Sequence, residues 1–420
     1  MSAPTHGCAC LKPVAHAGMR ILLIHQAFSL PNEPGGTRHY ELAKRLVAMG
    51  HSVTIVTSRL NYLTGAHNGG MNECGIDMRY APTLSGYHRN YVRRSLVFLS
   101  FMMSSFASAL RTGPVDVVVG TSPSIFQAVS AWMVAAVRRR PFVLEIRDLW
   151  PEFAIDMGLL RNASLILLAR FIERFLYRHA NHIIVNSPEY RDYLLNRGII
   201  DTKISVVSNG VDASMFQPRA DGGDFRREHA LGKKFVVMYA GALGLANDIE
   251  CLLRAAMRLR EDEAIVFVIV GGGKEEVRLR RQAQSMCLDN VCFVSAQPKE
   301  RMPEILAAAD VCVATLKDIR MFRMPYPNKV FDYMAAGRPT VLAIDGAIRK
   351  VLELADGGLS VRPGDDNAIA QAILKLRPSI QLRRKMGTSA REYVERHFNR
   401  DEQAQQLAVI LEDVNRWAAS

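Results

Sequence analysis

The fold is decided by one stretch of the chain, Pro327-Asn-Lys-Val-Phe-Asp-Tyr-Met-Ala-Ala-Gly-Arg-Pro339. Val330, Phe331 and Met334 recur at helical spacing, the opening Pro-Asn suits a helix start, and the closing Gly-Arg-Pro suits a stop. Predicted strands on both sides place this short helix in an α/β layer. Lys329 then lies in the first turn, where a helix N-terminus favours anions, and Asp332 faces the same side. The stretch therefore predicts a ligand site at the edge of an open α/β sheet.

The bulk composition narrows the class of protein. A length of 420 residues suits two domains, and 49% hydrophobic with 22% charged residues is typical of a soluble globular protein. The net charge of +12 indicates an anionic partner: a nucleotide, a lipid pyrophosphate, an acidic membrane surface or nucleic acid. No basic-aromatic nucleic-acid-binding module is present, so no nucleic-acid partner is expected. The seven scattered cysteines lack zinc spacing and fit a reducing compartment, so no metal is expected.

Unbroken apolar runs predict buried parallel strands in both halves of the chain. In the first half they are 20–25, 53–56, 115–119, 142–146, 182–185 and 204–207, and in the second 235–241, 264–270, 291–294, 311–314 and 340–343. Helical stretches between them give the order of an α/β protein. Residues 1–18 contain no apolar core of signal-peptide length and are interpreted as a disordered leader, with Met19 as an alternative start.

The stretch 327–339 resembles the donor-site segment of the retaining, two-domain glycosyltransferases of group 1 (family 4). The resemblance extends over about 19–417 and implies the GT-B fold, in which two Rossmann-like domains face each other across a cleft. It implies a first domain over 19–212, with 398–420 packing back on it, a linker over 213–232 and a nucleotide-sugar donor domain over 233–397. In this family a carboxylate at the position of Asp332 holds the ribose hydroxyls, and a cation at that of Lys329 faces the diphosphate. The alternative is an ordinary amphipathic helix with both side chains solvated.

Two segments of the first half are candidates for the reacting centre. Gly35 and Gly36 open a helix and resemble the family loop that faces the cleft, although the pair alone also fits a plain turn. Arg147 and Asp148 follow a predicted strand, at the edge where α/β sheets carry catalytic residues. The sequence Asp-Leu-Trp-Pro-Glu that begins at Asp148 resembles a branch found in bacterial surface polysaccharide assembly, including N-acetyl-fucosamine transferases. Most relatives carry His-Asp at this strand end, so Arg147 is a departure, and a local ion pair with Asp148 is the structural alternative.

Glycine turns in the second half resemble the family's donor loops. Gly241 and Gly244 follow one predicted strand and Gly271 another, and the family uses such turns to seat the diphosphate and the sugar on backbone N–H groups. Ala296 and Gln297 lie where the family holds the base, largely through backbone.

Three positions depart from the family pattern. Relatives carry a Glu where this chain has Met324, and an Arg and a Lys where it has Ala242 and Asn247. The negative charge of the donor's diphosphate must then be neutralised by other cations, of which Lys329 is the principal candidate. Arg320 and Arg323, in the loop before the motif, are further possible phosphate contacts, with solvent exposure as the alternative.

Residues 89–111 combine arginines with an apolar run that is too short to span a bilayer. As a helix this segment places Ser100, Ser104 and Ser108 on one narrow stripe. It is interpreted either as a core helix of the first domain or as a helix that dips into an anionic membrane interface.

The resemblance implies an enzyme that moves a hexosyl or N-acetylhexosaminyl unit, with retention, from a nucleotide-diphosphate sugar to an acceptor hydroxyl. UDP is the commonest carrier in the family, and a lipid-linked saccharide at the cytoplasmic face of a bacterial membrane is the expected acceptor. The nucleotide-sugar is a substrate, so no cofactor is expected, and fixed cations can replace a metal. Two alternatives stay open: a nucleotide-sugar epimerase on a similar scaffold, and a catalytically inactive subunit of the same fold.

Overall fold

A computed structural model describes residues 18–59, 72–84, 91–217 and 221–419 of the protein. The leader predicted over 1–18 lies outside these ranges except for Gly18. The described residues contain two mostly parallel sheets, one in each half of the chain, and each sheet is covered by helices. These are the two Rossmann-like domains expected from the alternation of apolar runs and helical stretches.

The first sheet has eight strands in the order β3-β4-β2-β1-β5-β6-β7-β8, parallel except for the β3–β4 pair. Its strands are β1 (Arg20–Ile24), β2 (Ser52–Ser58), β3 (Asn72–Glu73), β4 (Ile76–Ala81), β5 (Val117–Thr121), β6 (Phe142–Ile146), β7 (His182–Val185) and β8 (Ile204–Val206). Its helices are α1 (Arg38–Ala48), α2 (Tyr91–Leu110), α3 (Ile125–Arg138), α4 (Glu152–Asp156), α5 (Ala163–His179) and α6 (Pro188–Leu195). The short β3 and the half-polar β4 were not predicted, because an edge strand needs no continuous apolar run.

The second sheet has six strands in the order β11-β10-β9-β12-β13-β14. Its strands are β9 (Phe235–Ala240), β10 (Ile265–Val270), β11 (Val291–Val294), β12 (Val311–Thr315), β13 (Thr340–Ala343) and β14 (Gly358–Ser360). The remaining helices are α7 (Gly223–Glu228), α8 (Ile249–Arg258), α9 (Glu276–Ser285), α10 (Met302–Ala307), α11 (Asn328–Ala335), α12 (Ala347–Leu354), α13 (Asp366–Leu376), α14 (Ile380–His397) and α15 (Arg400–Ala419). The helix predicted from the stretch 327–339 is α11, with Lys329 in its first turn.

The segment predicted as a linker, 213–232, is packed against the second domain. It contains α7, and its side chains Phe216 and Phe225 are buried in the core that the second sheet shares with α11. The polar composition of the segment concealed this packing, because its few buried apolar side chains, Phe216, Phe225 and Leu231, form no periodic pattern. Residues 218–220 lie outside the described ranges.

Several contacts join the two domains. Helix α15 crosses back to the first domain and packs on α1, as the resemblance implied. At its start the buried Arg400 donates to Glu41 Oε2 at 2.7 Å and to Gly210 O at 2.6 Å. Met321, in the short 3₁₀ turn before α11, is buried in the core of the first domain. Asn209 Nδ2 donates to Tyr326 O at 2.7 Å across the same boundary.

Helix α2 covers most of the segment 89–111 and has two different faces. Its buried stripe is Val97, Phe101, Ser105 and Ala109, whereas the predicted serine stripe is only partly buried. The opposite face exposes Leu96, Leu99 and Met103. The helix is thus a packed helix of the first domain that also presents apolar side chains to solvent. Across the described part of the chain, no helix combines the length and apolarity needed to cross a bilayer.

Candidate functional site

Lys329 lies in the first turn of α11, the helix that connects β12 with β13. Its Nζ donates to Tyr239 Oη at 2.8 Å and to Asn247 Oδ1 at 2.6 Å, and it lies 4.5 Å from the centroid of the Tyr239 ring. Both partners are neutral, and no carboxylate in the described ranges pairs with this ammonium. Burial lowers the pKa of Lys329 to about 7. A cation held at such a place without a counter-ion forms a pre-organised site for an anion.

The glycine turns surround this ammonium, and the structure separates their roles. A Cβ at Gly241 would lie 3.3 Å from Lys329 Cε, so a side chain there would crowd the cation. Gly271 has φ +155°, and its Cβ would lie 1.9 Å from Gly241 O, so this glycine is required for packing between the turns. At Gly244 the nearest atom would be 3.6 Å away, so packing does not demand the missing side chain. The N–H groups of Gly241 and Gly271 already donate to β10 and β11, so these two glycines can serve a ligand only by leaving space.

Asp332 lies one helical turn after Lys329 and is also largely buried. Its Oδ2 forms an ion pair with Lys299 Nζ at 2.5 Å. Lys299 begins the 3₁₀ turn that follows β11, just after the Ala296–Gln297 segment predicted to hold a base. Gln297 itself accepts from Arg301 Nη1 at 3.0 Å. No sequence pattern predicts the Lys299–Asp332 pair, because its members are 33 positions apart and belong to no common motif.

The predicted phosphate contacts in the loop before α11 are solvent-facing. Arg320 is exposed, and Arg323 donates to Asp318 Oδ1 at 2.7 Å. Met324 packs against the core of the first domain, which gives an apolar contact at the position where relatives carry a Glu. Asn247, at a position where relatives carry a cation, accepts a hydrogen bond from Lys329. Of the cations predicted to meet the phosphates of the donor, Lys329 is thus the one that the structure buries.

The facing edge of the first domain brings Arg147 and Asp148 to the end of β6. Arg147 Nη1 lies 2.9 Å from His25 Nε2, and within the described ranges it forms no ion pair with Asp148. The backbone N–H groups of both residues donate to Ser122 Oγ, which fixes the turn. Burial raises the pKa of Asp148 to about 6, and the nearby Arg147 opposes this shift.

The loop with Gly35 and Gly36 begins α1 on the same edge. Gly35 has φ +145°, which favours glycine, whereas a Cβ at Gly36 would meet no heavy atom within 4 Å. The missing side chain of Gly36 therefore leaves open space rather than relieving a clash.

A buried charged cluster supports this edge and was not predicted. Glu145, in the middle of β6, accepts from Arg38 Nε at 3.2 Å and lies 2.5 Å from His39 Nε2. Arg38 also donates to Val207 O at 2.8 Å. The cations hold the pKa of Glu145 well below its usual range, although burial opposes them. A charged residue inside the apolar run Phe142–Ile146 was the signal that could have revealed this cluster.

The site combines fixed cations with carboxylates that can accept hydrogen bonds from hydroxyl groups. Within 18–59, 72–84, 91–217 and 221–419, no group of three or more His, Cys, Asp and Glu side chains could hold a metal ion. Lys329 provides an anion site, and Asp332 and Asp148 provide carboxylates that can accept from hydroxyls. The arrangement is suited to binding an anionic, hydroxyl-rich ligand between the domains.

Sequence models of two families match the two domains. The model described as "Glycosyl transferase 4-like domain" matches 35–210, and the model described as "Glycosyl transferases group 1" matches 234–377. The two matches cover both faces of the cleft. The chain belongs to the group 1 glycosyltransferases.

One curated relative and two solved structures are similar to this chain. The glycosyltransferase is 25% identical over 379 residues to WcaI of Escherichia coli K12, named for colanic acid biosynthesis, which covers 86% of this chain and 92% of WcaI. A sucrose-phosphate synthase from Thermosynechococcus elongatus superimposes with a TM-score of 0.76 at 21% identity, over 96% of this chain and 100% of that one. HepE of Anabaena with UDP-glucose gives a TM-score of 0.74 at 18% identity, over 94% and 100% of the two chains. These structural likenesses confirm the predicted GT-B fold.

Proposed function

We propose that the chain transfers a sugar from a UDP-sugar to a hydroxyl of a lipid-linked saccharide, with retention, in the assembly of a bacterial surface polysaccharide. The observation that carries this proposal is the buried ammonium of Lys329, which has neutral partners and is bordered by the Gly241 turn. A diphosphate would supply the missing negative charge. Asp332, three residues later on the same helix, would receive the ribose hydroxyls.

The transfer breaks the bond from the anomeric carbon to the diphosphate oxygen and forms a bond from that carbon to the acceptor oxygen. The acceptor hydroxyl passes its proton to the departing phosphate oxygen, and UDP leaves with the bonding electrons. Lys329 would stabilise the charge that develops on the leaving diphosphate. Asp148 and Arg147 at the facing edge would orient the sugar hydroxyls and the acceptor. Retention rests on the family resemblance.

The donor panel should begin with UDP-N-acetylhexosamines, UDP-N-acetyl-fucosamine among them. The Asp-Leu-Trp-Pro-Glu segment at Asp148 resembles the branch that contains N-acetyl-fucosamine transferases, and the relative WcaI is named for colanic acid biosynthesis. No side chain described above distinguishes one base or one sugar from another, so the panel must also include UDP-hexoses.

An exposed apolar rim on the first domain supports the proposal that the acceptor is lipid-linked and that the enzyme works at the cytoplasmic face of a membrane. Helix α5 begins at the carboxyl edge of the first sheet, the edge that carries Arg147. The apolar residues Leu165, Leu167, Leu168 and Phe171 in its first half are each more than half exposed. Arg174 and Arg178, further along the helix, are exposed cations that complement anionic headgroups.

The exposed face of α2 extends this rim, as proposed from the segment 89–111. Phe98 of α2 stacks on Phe126 of α3 at 6.2 Å between ring centroids, which places the start of α2 beside the start of α3. Helix α3 in turn packs on α5, where the ring centroids of Trp132 and Phe175 lie 4.6 Å apart. The exposed side chains Leu96, Leu99 and Met103 therefore belong to the same side of the first domain. Arg89 and the side chain of Arg94 lie outside the described residues.

Vesicle sedimentation tests the rim. The wild type should sediment with vesicles that contain anionic lipid and much less with neutral vesicles, and added salt should weaken the binding. Leu167→Ser with Phe171→Ser should reduce binding, whereas Leu354→Ser, at a 72% exposed leucine of the second domain, should not. Equal sedimentation of all the variants would refute the assignment of the rim.

Product analysis tests the reaction itself. A labelled UDP-sugar incubated with the enzyme and bacterial membrane extract should give label in the lipid-linked saccharide fraction. The new linkage should show the anomeric configuration of the donor by NMR. Conversion of the UDP-sugar without acceptor would instead favour the epimerase. Binding of UDP without transfer to any acceptor fraction would favour the inactive subunit.

A further inference from the structure

Asp332, the carboxylate proposed to bind the ribose, already forms an ion pair with Lys299. This ion pair leads to an inference about how the donor is recognised. Lys299 Nζ lies 2.5 Å from Asp332 Oδ2, and the two side chains are 10% and 18% exposed. The other carboxylate oxygen, Oδ1, receives no hydrogen bond from the described residues. The ammonium thus occupies one oxygen and leaves the second one for a ligand.

The backbone around Lys299 contacts the opposite domain. Its N–H donates to Glu33 O at 3.3 Å, and the next N–H, that of Glu300, donates to Pro31 O at 3.1 Å. Both acceptors lie in the loop that leads into Gly35 and Gly36. The turn that carries Lys299 therefore connects the donor domain to the glycine loop of the first domain.

The charges that face Asp332 come from three different elements. Burial raises the pKa of Asp332, and Glu41 of α1 acts in the same direction, whereas Lys299 and Arg400 of α15 oppose the rise. Arg400 is itself bonded to Glu41. The Lys299 ammonium also lies 5.4 Å from the centroid of the Phe216 ring, which shields one side of it. Among these groups Lys299 alone forms a direct ion pair with Asp332.

We infer that Lys299 is a positioning residue of the ribose subsite: its ammonium holds Asp332 by one oxygen so that the other accepts a ribose hydroxyl. This inference rests on the proposed binding of a UDP-sugar. It also assigns a second role to the turn, because a filled ribose subsite would be tied through Lys299 to the loop of Gly35 and Gly36. Donor binding and the placement of that loop would then be coupled.

A purely structural ion pair makes different predictions from a positioning residue. If the ion pair only held the fold together, its loss would lower the free energy of unfolding and would weaken the binding of all nucleotides by the same factor. If it prepares Asp332 for ribose, its loss would act on the ribose hydroxyls alone. Without the ammonium, Asp332 would also protonate at higher pH, since burial and Glu41 would be less opposed. A protonated carboxyl is a poorer acceptor, so the effect should be larger at low pH.

The test compares the dissociation constants of UDP and 2′,3′-dideoxy-UDP by calorimetry at pH 6 and pH 8. The wild type should prefer UDP by about tenfold or more at both pH values, because hydrogen bonds to a charged group discriminate strongly. Lys299→Ala should lose most of this preference at pH 6 and recover part of it at pH 8. Lys299→Arg should restore it at both.

Controls separate this inference from the proposed function. Lys385→Ala removes an exposed ion pair of the same domain, in which Lys385 Nζ lies 3.5 Å from Asp356 Oδ2. This variant should leave the preference for UDP unchanged. A folded Lys299→Ala that keeps the wild-type preference at both pH values would overturn the inference while the donor site stands. A wild type that binds no UDP, or does not distinguish the two nucleotides, would overturn the ribose site and the inference with it.

Discussion

The pH dependence of UDP binding follows directly from the environment of Lys329. Burial lowers the pKa of this ammonium to about 7 in the free protein. A bound diphosphate would favour the charged form, so the ammonium must gain a proton when UDP binds at alkaline pH. At pH 8 a group with this pKa is about nine-tenths deprotonated, so about 0.9 proton should be taken up per UDP. At pH 6 the uptake by this group should be about 0.1.

Affinity should follow the same linkage. The dissociation constant of UDP should rise above pH 7 and approach about tenfold per pH unit above pH 8. The terminal phosphate of UDP titrates near pH 6, so measurements between pH 7.5 and 9 isolate the contribution of the protein. The assay is calorimetry at pH 8 in two buffers of different ionisation enthalpy, from which the number of protons exchanged is obtained.

Two variants at the position make the prediction specific. Lys329→Met should bind UDP about 10- to 150-fold more weakly at pH 7, because a charge-assisted hydrogen bond is lost, and should show no such proton uptake. Lys329→Arg stays charged throughout, so its affinity should be nearly independent of pH in this range. Lys350→Ala, at an exposed lysine, is the control and should match the wild type. A wild type that takes up no proton at pH 8 while it binds UDP tightly would refute the reasoning.

Substitutions away from Lys329 test three other parts of the structure. Because burial raises the pKa of Asp148 to about 6, kcat/KM should fall as the pH decreases through about 6, and Asp148→Asn should remove this limb from the pH–rate profile. Gly271→Ala should lower the free energy of unfolding by about 1–3 kcal/mol or more, since the backbone at this position is strained for alanine and the new Cβ would meet a backbone oxygen. Gly36→Ala is the control, because its Cβ would lie in open space. Its free energy of unfolding in a urea titration should stay within about 0.5 kcal/mol of the wild-type value. Arg400→Met should destabilise by about 3–5 kcal/mol because Glu41 is left buried and unpaired, and adding Glu41→Gln should recover part of the loss.

Most of the fold could be predicted because most of its strands are short, largely apolar runs. Apolar runs such as 142–146 and 291–294 match β6 and β11 residue for residue. The strands that were missed, β3, β4 and β14, lie toward or at sheet edges, where short or half-polar segments suffice. The packing of 213–232 was missed for a related reason, since a few buried apolar residues in a polar segment give no periodic pattern.

The site was predictable only where its residues belong to one motif. Lys329 and Asp332 share a helix turn, and the sequence predicts correctly that both lie along one side of α11. The partners of these residues come from distant elements: Asn247 and Tyr239 for the lysine, and Lys299 for the aspartate. No spacing rule connects positions that only the folded chain brings together. The roles assigned to these residues in donor binding stay predictions until a ligand is measured.

We propose that Lys329 and Asp332 form the donor site of a working transferase. The most direct test is UDP release from a panel of UDP-sugars, with and without membrane extract, by the wild type and by Lys329→Ala with Asp332→Ala. The structure predicts release that depends on the acceptor for at least one donor and that is abolished in the folded double variant. Acceptor-dependent release that persists unchanged in the double variant would contradict the claim.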